Sequence, residues 1–261
     1  IFLQWLAERQ LAAAQARGPV LGLYRDLALG VARDSGEVWA RPDLFAASVS
    51  IGAPPDPFSA AGQNWQLPPF IPQALKRSGH APVAEILRAN MRAAGALRID
   101  HVLGYARQFW IPAGAAGIDG AYVTYPADDL VALTALESTR ARCLVIGEDL
   151  GTVPEGLRQR LAAAGILSCK VLWFERGADG AFLPPSSYPH LSAACLSSHD
   201  LVPFLGWTAA REPAGRRQLE AALERESIPS GATDADLMVA AHRMIARAPS
   251  TLMLVQADDL A

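Results

Sequence analysis

Apolar and polar positions alternate along the chain with two periods. Residues 2–17 place Leu3, Leu6, Gln10, Ala13 and Ala14 at helical spacing, and Gly18-Pro19 ends the run. A short apolar stretch over 20–24 then reads as a strand. After a helix expected over 81–95 the alternation becomes regular. Apolar strand signals stand at 97–99, 143–146, 170–174, 193–196 and 252–255, with helical segments around 128–140, 154–164 and 214–226. Strand–helix alternation of this kind implies an α/β fold on a parallel sheet, either a barrel or a doubly wound sheet.

One segment breaks the rhythm. Residues 38–70 are dense in Pro, Gly and Ser, and a structureless stretch of that length is usually functional or disordered. Its Trp39, Phe45, Phe58, Trp65 and Phe70 argue against disorder. No linker-like stretch divides the chain into independent domains. The first residues, Ile1-Phe2-Leu3-Gln4-Trp5, lie inside a helical pattern, and only Gln256 to Ala261 follow the last strand. A parallel strand ordinarily runs on into a covering helix, so truncation at both ends is expected.

Composition narrows the function classes. With 261 residues, 51% of them hydrophobic and 19% charged, the chain is globular and long enough for one α/β barrel. A net charge of −3 and no basic stripe count against nucleic acid as a partner. Apolar runs fall short of the ~18 residues of a membrane span. Glu8, Arg9 and Gln10 interrupt the only stretch that could serve as a signal peptide. Cys143, Cys169 and Cys195 are odd in number and lack CxxC or Cys/His spacing, which argues for reduced thiols in the cytoplasm and against a zinc site. No GxGxxG or GK[ST] loop follows a strand, so nucleotide folds lose ground and no cofactor is expected.

The chemistry concentrates at three strand ends: Leu97-Arg98-Ile99-Asp100-His101, Val145-Ile146-Gly147-Glu148-Asp149 and Ser197-Ser198-His199-Asp200. In a parallel barrel such ends converge on one face, where active sites are built. Glycosidic cleavage with retention needs one carboxylate as nucleophile and a second carboxyl as acid, and a third can steady the transition state. Arg98 shares a strand face with Asp100, two residues on, where a guanidinium favours the ionised nucleophile. Glu148 follows an apolar strand, a setting that favours the protonated acid. Metal-assisted chemistry is the rival use of such acids, but no HExxH or close Asp/His ligand spacing supports it, and no metal site is expected. Asp149 is given a supporting role. Trp5, Trp110, Trp173 and Trp207 read as core or interface packing rather than sugar platforms, whereas Trp65 stands in a polar loop and reads as functional.

At these residues the sequence resembles the 4-α-glucanotransferase family, the amylomaltases or disproportionating enzymes, in its bacterial maltodextrin branch. Arg98-Ile99-Asp100-His101 is similar to that family's nucleophile segment, Gly147-Glu148-Asp149-Leu150-Gly151 to its acid/base segment, and His199-Asp200 to its transition-state-stabilising segment. Arg25-Asp26-Leu27 resembles the third-strand region, where Asp26 takes a sugar-binding position. Gly52-Ala53-Pro54-Pro55-Asp56 through Gly62-Gln63-Asn64-Trp65 resembles a lid over the site. Gln66 stands where the family usually has Gly.

The resemblance implies a TIM (β/α)8 barrel represented by about strands three to eight, with residues 1–261 as a catalytic segment carrying the lid at 38–70. It implies Asp100, Glu148 and Asp200 as catalytic residues, and Asp26, Gln63, Trp65, Arg98 and His199 as substrate-binding ones. The implied activity is retaining transfer of α-1,4-glucan segments between a maltodextrin donor and a sugar acceptor. The alternatives are an α-amylase-like glucan hydrolase and a non-catalytic glucan-binding fragment. Nothing in the sequence sets an oligomeric state.

Overall fold

The structure, a computed structural model, describes residues 1–56, 59–210 and 213–260. Two compact units divide the chain, Ile1–Ile166 and Leu167–Ala261. Phe58 and Arg211 lie outside the described residues.

The first unit opens with helix α1 (Phe2–Arg17), as its periodicity predicts, but no residue of that helix is buried. Trp5 is therefore not a packing residue within the unit. It is half exposed, beside Phe2 at 5.9 Å between ring centroids and under the guanidinium of Arg9. The strand expected over 20–24 lies further along, as β1 (Tyr24–Leu27). The reason is local: the Gly22 N–H closes a turn onto the Pro19 carbonyl at 2.8 Å, and the Leu23 N–H is held by the Gln15 side chain at 2.6 Å. Only beyond that turn is the backbone free to pair.

Strands β1, β4 (Ala96–Ile99) and β7 (Leu144–Gly147) form a parallel ladder, with Asp26 opposite Arg98 and Ile99 opposite Gly147. Helices α4 (Ala81–Met91), α5 (Ala127–Ala141) and α6 (Leu157–Ala163) supply the covering apolar faces. Leu87, Met91, Leu97, Val145, Leu157 and Leu161 meet in one buried cluster. Every residue of β4 is buried, which is why that strand reads as an unbroken apolar run apart from Arg98.

The segment over 38–70 is not irregular. It contains much of helix α2 (Gly36–Ala40), strands β2 (Val49–Ala53) and β3 (Gln63–Leu67), and leads into α3 (Pro72–Arg77). With β5 (Arg107–Pro112) and β6 (Ala121–Thr124) these strands build an antiparallel sheet in the order β3-β2-β5-β6, which the sequence reading did not anticipate. Phe45 and Phe70 stack at 4.5 Å and share a buried cluster with Leu44 and with Ala74 of α3.

In the second unit β8 (Leu167–Val171), β9 (Ser192–Cys195) and β10 (Leu252–Leu254) run parallel, with α7 (Phe204–Ala210), α8 (Pro213–Arg225) and α9 (Asp234–Ile245) between the last two strands. The strand expected over 170–174 ends at Val171. Leu172–Phe174 instead form a 3-10 turn, closed by the Glu175 N–H onto the Leu172 carbonyl at 3.1 Å, with Leu172 and Trp173 buried. Trp173 and Trp207 stack at 4.2 Å in this unit's core, and Trp207 touches Phe204. Cys143, Cys169 and Cys195 are buried, and none of the three forms a disulfide. Among the described residues no helix is long and apolar enough to cross a membrane.

Candidate active site

Ladder geometry assembles the first group. Asp26 on β1 lies across from Arg98 on β4, and Asp100 follows Arg98 by two on the same face. Arg98, only 8% exposed, donates from Nη1 to both Asp26 carboxylate oxygens, at 2.9 and 2.7 Å. The same nitrogen stands 3.0 Å from Asp100 Oδ1. Burial disfavours the guanidinium charge, but the hydrogen bond and charge of Asp26, then the charges of Asp100 and Glu148, outweigh it. The pKa of Arg98 accordingly lies above its ordinary value.

Glu148 comes from the next strand. Its backbone N–H donates to the Ile99 carbonyl and its carbonyl accepts from Val102, both at 3.0 Å, so the chain beyond β7 stays alongside the chain beyond β4. Two backbone donors meet the carboxylate: His101 N–H on Oε2 at 2.8 Å and Leu150 N–H on Oε1 at 3.3 Å. Burial raises the Glu148 pKa and prevails over Arg98, the His101 N–H and the Leu150 N–H, which pull it down; Asp100 adds to the upward push. A carboxyl whose pKa burial raises, yet which two donors hold in place, suits the role of a general acid.

His101 is in the left-handed region at φ 46°. That conformation turns its N–H toward Glu148 while its ring meets Trp65 edge-on, 5.3 Å between centroids. Burial pushes the imidazole pKa down, with Asp100 acting the other way. The pairing of β2 with β3 explains how Trp65 arrives there. Ile51 faces Leu67 but Gly52 faces Asn64, so Trp65 and Gln66 form a bulge. Gln66 has φ 60°, its N–H donates to the Asn64 side chain at 3.0 Å, and Trp65 Nε1 donates to Gln63 Oε1 at 3.0 Å. Gln66 thus holds a left-handed backbone conformation that favours Gly. Asp26, Asp100 and His101 also line a cavity of about 440 Å³ in this unit, together with Leu27, Tyr105 and Gln108.

Asp149 is fully buried. Arg158, at the start of α6, holds it twice: Nε donates to Asp149 Oδ2 at 2.7 Å and Nη2 to the Asp149 carbonyl at 2.9 Å. Sequence reasoning missed Arg158. A cation in the first helical turn opposes the helix dipole, and that mismatch is the signal that could have singled it out.

The first unit therefore brings together Asp26, Gln63, Trp65, Arg98, Asp100 and Glu148. The remaining expected site residues belong to the second unit, in the turn after β9. There the Asp200 N–H donates to Ser198 Oγ at 3.3 Å, and His199 Nε2 lies 3.5 Å from Asp200 Oδ1. Both side chains are more than half exposed. Among the described residues no group of three or more His, Cys, Asp or Glu is placed to hold a metal ion.

Comparison with known proteins bears on this arrangement. A family model described as 4-alpha-glucanotransferase matches residues 1–261. A 4-alpha-glucanotransferase of Haemophilus influenzae is 50% identical over 208 residues, covering 78% of this chain and 30% of the relative. One of Mycobacterium bovis is 36% identical, covering 99% of this chain and 40% of the relative. The crystal structure of amylomaltase from Corynebacterium glutamicum superposes with a TM-score of 0.90 at 31% identity, covering 98% of this chain and 42% of that one. The chain thus spans less than half the length of these proteins. Matched along its whole length, it belongs to the 4-alpha-glucanotransferase family.

Proposed function

We propose that the protein transfers α-1,4-glucan segments between maltodextrins with retention of configuration. The observation that carries this reading is the pair of unlike carboxylates at neighbouring strand ends, Asp100 against a guanidinium and Glu148, half-buried, held by two backbone N–H groups. Adjacent strands lie about 4.8 Å apart. Asp100 and Glu148 directly follow the paired residues Ile99 and Gly147, so their backbones lie side by side, the placement that a retaining pair of carboxyls at ~5–5.5 Å calls for.

In this reading an Asp100 oxygen attacks the anomeric carbon, the glycosidic C–O bond breaks, and Glu148 gives its proton to the departing O4. A glucan is left esterified to Asp100. Glu148, now a carboxylate, takes the proton of an incoming sugar 4-hydroxyl as that oxygen displaces Asp100, which restores both groups. Arg98 orients Asp100, and Asp26 holds Arg98 and binds sugar. Trp65, steadied by Gln63, presents a ring to the sugar as part of a lid over 38–70 that keeps water from the intermediate. Asp200 and His199 take ring hydroxyls of the cleaved residue, roles assigned through the family resemblance of their segment. The chain as a whole is read as a catalytic segment containing about strands three to eight of a TIM barrel, acting in the cytoplasm without a cofactor.

Maltotriose tests the proposal in the full-length protein. Transfer yields a ladder of longer oligosaccharides, and Asp100→Asn abolishes it. Glucose and maltose as the only products would establish hydrolysis instead, and a ladder surviving in D100N would remove Asp100 from the mechanism.

A further inference from the structure

The Glu148 carboxylate is held by amides, and one of them belongs to a peptide unit with a second anchor. The bond between Asp149 and Leu150 carries the Asp149 carbonyl on one side and the Leu150 N–H on the other, and a trans peptide is planar, so fixing the carbonyl direction fixes the N–H direction. The Asp149 carbonyl accepts from Arg158 Nη2 at 2.9 Å, and the Leu150 N–H donates to Glu148 Oε1 at 3.3 Å. The guanidinium cannot swivel away from the carbonyl, because its Nε is bonded to the fully buried Asp149 carboxylate at 2.7 Å. Its rigid fork reads side chain and main chain of one residue together, a geometry that a lysine ammonium cannot reproduce.

We propose that Arg158 is a positioning residue for the acid/base: by gripping Asp149 at two points it sets the 149–150 peptide so that the Leu150 N–H is delivered to the Glu148 carboxylate. This rests on the reading of Glu148 as acid/base. Arg158 makes its contacts with Asp149, not with the Glu148 carboxylate. It acts through one peptide plane, and its charge is paired with Asp149. The charged groups that face Glu148 itself are Arg98 and Asp100, from β4 and the turn after it; the backbone N–H groups are those of His101 and Leu150.

The sign of the effect follows. The Leu150 N–H favours the ionised form of Glu148, so releasing the peptide lets burial dominate further and keeps the proton on to higher pH. In a retaining mechanism the alkaline limb of kcat/KM reports the acid/base, so that limb moves to higher pH. Misdirection of the carboxyl lowers kcat by about tenfold to a hundredfold.

The test uses R158K, R158A and E148Q in the full-length protein, with transfer from maltotriose followed across pH and melting measured alongside. R158K keeps a cation for the buried Asp149 and folds. Its alkaline limb lies above the wild-type limb, its kcat falls and its KM stays near wild type; R158A shows the same changes more strongly. A merely structural Arg158 would lower the melting temperature and leave the limb in place, and that result in R158K overturns the proposal. E148Q loses the alkaline limb. Were E148Q to keep it, the acid/base reading would fall and this proposal with it, whereas an unmoved limb in R158K alone removes only the role of Arg158.

Discussion

Gly52→Ala is the sharpest test of how the lid strand is seated. Gly52 lies where β2 passes the bulge of β3. A Cβ added there would stand 2.0 Å from the Gln63 carbonyl oxygen and 2.5 Å from Ile111 Cδ1. A carbon–oxygen contact needs about 3.3 Å, so β3 must retreat by more than about 1 Å. Retreat breaks the pairings beyond the bulge, Gly52 with Asn64 and Ala53 with Gln63. At roughly 0.5–1.5 kcal/mol for each hydrogen bond lost, the strand end gives up about 2 kcal/mol, more than the entropy that alanine removes from the unfolded chain. Hydrogen exchange of the amides of Gln63–Leu67 should quicken by about 30-fold, since each 1.4 kcal/mol is a factor of ten. The same retreat takes Trp65 off His101, so products from maltotriose should shift from longer oligosaccharides toward hydrolysis. Gly36, with nothing within 4 Å of an added Cβ, is the control, and G36A should stay within about 0.5 kcal/mol of wild type. Wild-type exchange across β3 in G52A, with a wild-type ratio of transfer to hydrolysis, would refute the idea that this backbone approach seats the lid.

Two further substitutions address the lid and the core. Gln66→Gly removes a side chain from a left-handed residue at φ 60° and should slow exchange in β3, a gain of about 0.5–1 kcal/mol after the added chain entropy is counted. Unchanged or faster exchange would count against strain at the bulge. Glu137, buried on α5, is held below the ordinary glutamate pKa first by its hydrogen bond to Arg88 and then by Arg140, against the opposing effect of burial. The stability that this depression contributes is present above the unfolded pKa of about 4.3 and is lost as pH falls through the lower folded value. E137Q should therefore be less stable than wild type at pH 7, by about 1–2 kcal/mol, and the difference should close as pH falls below the lowered folded pKa of Glu137. A gap that persisted in acid would assign the loss to packing.

Legibility in the sequence followed burial. Strands buried on both faces, β4 and β9, announce themselves as apolar runs, and so does the largely buried β7; all three fall within a residue or two of where the sequence places them, as does β10, which is apolar although only partly buried. The antiparallel sheet left no such mark. Gln63, Asn64 and Gln66 of β3 are exposed, Gln108 of β5 is buried, and Tyr122 of β6 is largely exposed, so neither alternation nor an apolar run marks the sheet. At the site, Asp100 and Glu148 were visible because carboxylates at strand ends are unusual, and the grip of Arg98 on Asp100 was visible because strand faces repeat every two residues. The donors to Glu148 were not visible. They are backbone N–H groups, which every residue but proline carries, and only the turn at His101 and the anchored peptide at Leu150 aim them. Nor does spacing alone place Trp65 against His101, because the contact depends on a bulge in the β2–β3 register.

One register pair explains why two adjacent carboxylates differ. On β4 the residue two before Asp100 is Arg98; on β7 the residue two before Glu148 is Ile146, and these two residues face each other across the ladder. Each shares the strand face of the carboxylate that follows it. Asp100 therefore inherits a guanidinium at 3.0 Å, itself anchored on Asp26. Glu148 inherits a fully buried aliphatic side chain, and with it the low-polarity setting that raises its pKa against the pull of Arg98. Replacing the apolar neighbour by a second cation would tie Glu148 to its ionised form and leave no acid for the leaving oxygen. Backbone amides avoid that outcome: they fix the direction of the carboxyl with partial charges only, so the group can hold a proton in one half-reaction and lack it in the next.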